Sequence, residues 1–231
     1  MKEISTGATP YAIAMLPFTL KVVSTEAEMA KALSIRQSAY ARHLPDVAKT
    51  LGKPEALDFQ RDTNILLVKA RLDEAPLGTM RIHRNDNQPL PLEQSFKLPS
   101  QLSSAKLAEA TRFGLVGGDG ALAVKSALFK AFFLYSLLHD VDYMVITARH
   151  PLDRMYERLM FKDVEPAAGY VPMKHVGNLP HRVLYFSVKR AEKLWFDAGH
   201  PLFDYVFRTV HPDIEILSPL VTPVASETEV I

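Results

Sequence analysis

Residues 107–120 read LAEATRFGLVGGDG, and residues 122–139 continue as a long apolar run, LAVKSALFKAFFLYSLLH. The first ten residues alternate well enough for a strand, the glycines interrupt it, and the run beyond them has the length of a helix. Tyr143–Ala148 (YMVITA) reads as a second strand. Two strands joined by a crossover helix pair in parallel, so this stretch decides for an α/β fold.

Working outward, Thr25 or Ser24 followed by Glu28 resembles a capping box. Ala27, Met29, Ala30, Leu33, Ile35 and Tyr40 carry a helix from there to about His43. Asn64–Ala70 (NILLVKA) and Leu77–His83 (LGTMRIH) read as a hairpin turning at Asp73–Pro76. The proline-spaced stretch 85–105 has no period and is long enough to cover a site. Beyond Pro151, Leu152–Leu159 reads as a short helix, Arg182–Val188 as a strand and Ala191–Ala198 as a helix, before a proline-rich tail from Pro201 and a frayed end at Pro219–Ile231. The pattern predicts a mixed central sheet flanked by helices. The expected organisation is an N-terminal extension (1–23), one domain (24–199) and a C-terminal extension (200–231).

Composition narrows the function. A chain of 231 residues, 48% hydrophobic and 23% charged, has ample material for a core. Its formal charge of +1 gives no global field for nucleic acid. The absence of cysteine excludes disulfides and thiolate chemistry and suits a reducing, cytoplasmic setting. Tyr11–Val23, interrupted by Pro17 and Thr19, is too short to span a bilayer. Leu128–Leu138 carries Lys130 and reads as a buried helix, so no membrane span is expected. The eight histidines show no ligand spacing, so no metal is assigned, and no Gly-x-Ser-x-Gly elbow supports a serine hydrolase.

A strand that splays from its parallel neighbour exposes backbone groups able to bind an amide-rich arm such as pantetheine. Glycines at its end let backbone approach an anion at the next helix. The same block serves equally as a plain tight turn. Further on, Tyr156-Glu157-Arg158-Leu159-Met160-Phe161 resembles the penultimate helix of the GNAT acyltransferase superfamily, with Met160 where that family has glycine. Glu109-Ala110-Thr111-Arg112-Phe113 is similar to the Glu-x-x-Arg-Phe strand of acyl-homoserine-lactone synthases and N-acyl amino acid synthases. Arg36, Tyr40, Asp58, Asp62 and Arg81 match in order. The resemblance departs in two places: the sole tryptophan is Trp195, far from the first helix, and Asp58 and Asp62 stand four apart. Both departures favour the N-acyl amino acid synthases or a further cousin of these families over the lactone synthases.

The resemblance implies a GNAT-like fold and transfer of a long-chain acyl group from acyl carrier protein to an amino-acid amine. The donor is an acyl-phosphopantetheine thioester, and no cofactor is held. A lactone synthase using S-adenosylmethionine, or a silent acyl- or carrier-binding module, are the alternatives. Asp119, beside the glycines, repels a pyrophosphate and so favours a carrier over coenzyme A.

Glu109 is the candidate base, acting through a water, or else an ion-pair partner of Arg112 or Arg81. Tyr156 is the candidate acid for the departing thiolate, or a packed helix tyrosine. Arg36 and Arg81, with Tyr40, Asp58, Asp62, Arg112 and Phe113, form the expected substrate-binding set, the arginines gripping a carboxylate or pairing with an aspartate. Arg112, three residues from Glu109, faces the same side only if the strand bulges; otherwise it is a strut for Asp58 or Asp62. Leu115, Val116, Gly117, Gly118, Thr147 and His150 form the expected acyl/pantetheine set. Phe129, Phe132, Phe133, Tyr135 and Leu138, with Met144, Ile146 and Phe186, supply either core or an acyl slot. Lys125, Lys130, Arg149, Arg154, Arg158 and Lys162 form either a carrier-docking patch or scattered solvated charges.

Overall fold

The computed structural model describes residues 11–216. In chain order its elements are β1 (Ala12–Ile13), β2 (Phe18–Val22), α1 (Glu26–Ala41), α2 (Pro45–Leu51), β3 (Thr63–Ala70), β4 (Pro76–Arg84), α3 (Ser100–Ser103), β5 (Leu107–Leu115), α4 (Ala121–Leu138), β6 (Tyr143–Ala148), α5 (Leu152–Arg158), β7 (Lys162–Asp163), β8 (Val171–Met173), β9 (Leu179–Ser187), α6 (Ala191–Asp197), β10 (Thr209–Val210) and β11 (Ile214–Glu215). The first helix starts as its sequence directs. The Thr25 hydroxyl accepts the Glu28 N–H at 3.2 Å, and the Glu28 carboxylate accepts the Ser24 N–H at 3.0 Å.

The main sheet runs β11-β2-β3-β4-β5-β6-β9-β7, with β8 hung on β9. Its central pair, β5 and β6, is parallel. Their ladder runs only from Leu107↔Tyr143 to Ala110↔Ile146. Beyond it β4 holds β5 out to Leu115, while β9 holds β6 out to Ala148. Each strand follows its outer neighbour, and the sheet splits.

Two unlike layers cover the sheet. On one face α4 buries Ala127, Leu128, Ala131 and Phe132 against β2 to β6, and Phe129 stacks on the fully buried Trp195 at 5.3 Å. Among the described residues α4 is the one helix with the length and hydropathy to cross a membrane; here it is mostly core, with Leu137 and Leu138 exposed at its end. Leu138 therefore contributes nothing to an internal slot. On the other face α1 packs Ala32 and Ile35 on Ile65 and Leu67. It reaches β5 closely because position 114 is glycine: a Cβ there would stand 3.2 Å from the Ala39 Cβ. The C-terminal end of α1 is thereby pressed over the split.

The described parts of both expected extensions, residues 11–23 and 200–216, pair or pack with the domain. Phe18, Leu20 and Val22, expected in the N-terminal extension, are buried on β2, and β11 from the C-terminal extension pairs with β2. The boundaries expected at 24 and 199 thus cut through one sheet. Lys130 explains part of this: it lies within α4, not in a surface patch, and its ammonium donates to the carbonyls of Tyr205 (2.7 Å) and Thr209. The frayed end expected at Pro219–Ile231 lies outside the described residues. The stretch 85–105 forms a second small core, in which Leu90, Leu92, Phe96 and Leu102 pack on Met173 and Val176.

Candidate active site

Alternation along β5 sends Glu109 and Thr111 toward the α1 side, where their cross-strand partners on β4 are His83 and Arg81. All four are buried. Between Thr79 and Arg81 the β4–β5 register shifts, and Arg112 adopts a left-handed φ of 52°. This is the bulge that joining Glu109 and Arg112 on one side requires.

A buried charge network results. Arg36 grips Asp58 with two hydrogen bonds of 3.0 Å, and Arg81 reaches Asp58 at 2.8 Å and Glu55 at 2.9 Å. Arg112 takes Glu55 bidentately at 2.7 and 2.6 Å. Burial alone raises the Asp58 carboxyl, but hydrogen bonds and charge from Arg36 hold it down at about 2. Arg36 and Arg81 have no exposed surface. They are committed to these carboxylates, so the expectation that they grip a substrate carboxylate is corrected: they are struts. Asp62 is corrected too, since its carboxylate accepts the Asn87 backbone N–H at 3.0 Å and anchors the 85–90 turn. Its place in the network is taken by Glu55, whose side-chain and backbone bonds with Asp58 form a capping box.

Three guanidinium groups face two carboxylates, leaving one surplus positive charge. One nitrogen on each guanidinium, Arg36 Nε, Arg81 Nη2 and Arg112 Nη1, has no partner, and of the three arginines only Arg112 lines the cavity at the split between β5 and β6. Glu109 does not balance the surplus, because no arginine pairs with Glu109 among the described residues. Its Oε2 accepts the Leu92 N–H at 3.0 Å, its Oε1 is unpartnered, and burial pushes its carboxyl up to about 8, partly offset by that N–H. The long loop does cover a site residue, by capping Glu109.

The split between β5 and β6 opens a cavity of about 120 Å³. That is about four water volumes, enough for a thioester carbonyl and a few neighbouring atoms. Its walls come from the end of α1 (Tyr40), from β5 (Ala110 to Phe113), from β6 (Thr147) and from Tyr156 on α5. The Arg112 guanidinium lies 5.9 Å from the Tyr40 ring centre. Burial, reinforced by Tyr40, holds the Tyr156 phenol well above its ordinary range, so it is a neutral hydrogen-bond donor. Behind Tyr156 the aromatic layer is closed: Tyr156 packs edge-on to Phe161 at 5.3 Å, and Phe161 stacks on Phe186 at 5.1 Å. Phe129, Phe132, Phe133, Tyr135, Met144, Ile146 and Phe186 are core, and the cavity does not enter among them.

Of the expected acyl/pantetheine set, Thr147 alone is in the wall. Leu115 ends β5, and Val116, Gly117 and Gly118 form the turn after it, outside the wall; Arg42 donates to the Leu115 carbonyl, and the turn leads to α4, whose first turn has no side-chain cap. His150 is exposed and lies 3.6 Å from Asp153. Of the basic set, Arg149 is in the wall, while Arg154, Arg158 and Lys162 are exposed.

Sequence reading missed Glu55 and His175. The first had a signal, its place three residues before Asp58. His175 had none. It sits in a short turn, and only the fold brings its carbonyl within 2.9 Å of Arg112 and its ring into the cavity wall.

The family model for the N-acyl amino acid synthase FeeM matches residues 31–179. Among solved structures, FeeM, an N-acyl amino acid synthase from uncultured soil microbes, aligns with a TM-score of 0.58 at 19% identity, over 78% of this chain and 96% of its own. The CoA-dependent acyl-homoserine lactone synthase BjaI, with SAM and isopentyl-CoA, aligns at 0.54 and 13% identity, over 84% and 93%. A GNAT-family acetyltransferase from Staphylococcus aureus aligns at 0.51 and 11% identity, over 73% and 99%. The likeness to these structures establishes the GNAT fold. A search of curated proteins gives no match.

Proposed function

The chain belongs to the FeeM family of N-acyl amino acid synthases and is an acyltransferase, and on that premise we propose that it moves a fatty acyl group from acyl carrier protein to the α-amine of an amino acid. The observation that carries this reading is the cavity in the split sheet. Its lining includes the bulged stretch of β5, Tyr156 and Arg112.

The acceptor carboxylate would meet the surplus charge of Arg112, which takes the role expected of Arg36 and Arg81. The thioester carbonyl would lie along β5 beyond Ala110, where backbone freed from the β6 ladder can hold the oxyanion. Attack of the neutral amine forms the C–N bond, and collapse breaks the C–S bond. Tyr156 would donate to the departing sulfur; the dry wall that raises the phenol also penalises a bare thiolate, so the proton is shared favourably. Glu109 is the proposed final base, acting at one remove because it lies behind the cavity wall. The phosphopantetheine arm would enter past Gly117 and Gly118, and Asp119 on that exposed turn supports a carrier rather than coenzyme A. Arg149 and Arg154 suit an acidic carrier at the mouth. The protein is proposed to act in the cytoplasm and to hold no cofactor.

A long acyl chain requires the layer of Tyr156, Phe161 and Phe186 to part, whereas a short one does not. Thiol release by the purified protein tests the whole reading. The donors are long- and short-chain acyl carrier protein, the matching acyl-CoAs and acetyl-CoA; the acceptors are pooled amino acids or S-adenosylmethionine; products are identified by mass. An acyl amino acid formed from the carrier is expected. An acyl lactone would put the lactone-synthase alternative in its place, and turnover with acetyl-CoA alone would overturn the argument from Asp119.

A further inference from the structure

Arg112, Arg149, Tyr40 and Tyr156 line the cavity, and all four carry N–H or O–H donors. They suit the oxygens of the reaction, those of the acceptor carboxylate and the thioester. The attacking nitrogen is itself a donor and needs a lone pair in the wall, yet no carboxylate among the described residues lines it. A carboxylate there would hold the nitrogen as ammonium, which has no lone pair for attack.

One group in the wall supplies a neutral acceptor. His181 lies on β9 two residues before Val183, which pairs with Thr147, so its side chain is on the Thr147 face of the sheet, at the end where β6 has left β5. Its Nδ1 lies 2.8 Å from the Leu179 carbonyl oxygen. A carbonyl only accepts, so Nδ1 carries the ring proton and Nε2 keeps a lone pair. That Nε2 has no partner among the described residues and, unlike the Nδ1 of His175, is not sealed from the surface, although the residue as a whole is 6% exposed. The other histidines of the wall lack this arrangement: His43 is exposed, and His175 has its Nε2 at the Thr147 hydroxyl and its Nδ1 buried.

We infer that His181 receives the acceptor nitrogen: its Nε2 accepts an N–H of the amine and turns the nitrogen lone pair toward the thioester. The inference deepens the proposed amine acylation and rests on it. Burial pushes the imidazole below its ordinary range, the bond to Leu179 offsets part of this, and Arg149 adds to it, so the ring is neutral at neutral pH. It therefore holds the uncharged amine without favouring the ammonium. Arg149, just past β6, and His175, in the turn before β9, face the ring; Tyr40 and His43 of α1, Arg112 of β5 and Tyr156 of α5 stand around the same cavity, and Val171, its partner on β8, does not titrate. Protonation on acidification thus finds no anion to match it.

The test uses the amino acid that gives product in the thiol-release assay when the protein amino acids are offered one at a time. His181→Asn keeps an N–H near the place of Nδ1 and removes Nε2, whereas His181→Gln sets an amide oxygen near the place of Nε2. The asparagine variant is expected to raise the acceptor KM about threefold to tenfold with donor KM unchanged, and the glutamine variant to recover most of that. From about pH 7.5 down to about 5.5 the wild-type acceptor KM should rise, as Nε2 takes a proton and stops accepting, and the rise should shrink in both variants. An unchanged acceptor KM in the asparagine variant, a donor KM that rises with it, or an acid rise of equal size in all three proteins overturns the inference. Should the asparagine variant fail to fold by thermal melting, the acid rise in wild type and its loss in His181→Gln decide the matter alone. Wild type that acylates no amino acid from any donor overturns the amine-acylation reading itself, and the role of His181 falls with it; that outcome is distinct because it appears before any substitution.

Discussion

The two faces of the sheet are buried to a similar degree by opposite means. On the α4 side, Phe129, Phe161, Phe186 and Trp195 fill space with rings. On the α1 side, Arg36, Arg81, Arg112, Glu55 and Asp58 fill it with charge. Rings gain from leaving water and hold any polar neighbour dry. Charges pay for leaving water and persist only when each finds a partner of defined geometry. The aromatic face therefore sets stability and the dry side of the cavity. The charged face sets the position of the groups that meet substrate, and leaves one positive charge uncommitted for it.

The contrast breaks most visibly at Asp58 and Trp195. Asp58→Ala removes both short bonds of Arg36 and one of Arg81, leaving Glu55 as the one carboxylate for three buried arginines, and should cost about 3–5 kcal/mol of unfolding free energy. Trp195→Ala should cost a similar 3–5 kcal/mol by leaving a cavity. Denaturant unfolding reads both. In whatever fraction stays folded, only the Asp58 variant should lose specific activity, because only it releases Arg81 and the bulge; equal activity losses would show that the faces are not separable.

Next in size, Glu109→Gln should lower kcat by about 10²–10⁴-fold while making the protein more stable at neutral pH. The sign follows from linkage. The Glu109 carboxyl is raised from 4.5 to about 8 in the folded state, so the native protein holds a proton that the unfolded chain has lost, and stability falls as pH rises across that window. Gln removes the fall. Unfolding measured between pH 5 and 8 on both proteins checks it.

A smaller effect is expected at Arg112. Arg112→Gln should raise the acceptor KM by about tenfold to a hundredfold, the loss of one charged hydrogen bond, with donor KM little changed. Steady-state kinetics with each substrate varied decides this; an unchanged acceptor KM would leave the acceptor carboxylate without a partner.

Smallest is the acid limb of stability. Burial pushes His83 down to about 3 and His175 down to about 4, so both are neutral when folded and charged when unfolded below about pH 6.5. Their contribution is complete above that pH and is lost as pH falls toward 4, at up to about 1.4 kcal/mol per pH unit for each group. His175→Asn should flatten this limb; an unchanged slope would mean that His175 is already charged in the native protein.

Legibility followed the same division. The strand, glycine turn and helix at 107–139 were readable because apolar periodicity and glycine act over a few residues. The cap at Thr25 was readable for the same reason. The pairing of Glu55 rather than Asp62 with the arginines was not, although its short capping spacing was in view, because choosing between two carboxylates depends on which turn folds over β4. Strand β2 was missed because Phe18, Leu20 and Val22 alternate over too few residues to stand out beside Pro17.

By itself the sequence determined an α/β chain with a parallel central pair, a motif strand carrying Glu109 and Arg112, and an acyl-transfer family. Tertiary structure alone decided what those residues do. A bulge with Arg112 at positive φ turned it to the side of Glu109, partners from Asp58 and Glu55 withdrew Arg36 and Arg81 from substrate, and a turn 63 residues beyond Arg112 delivered His175 to the cavity. Local propensity is written in neighbouring residues. The assignment of a charge to its partner is written in distances between strands and loops that no spacing along the chain records.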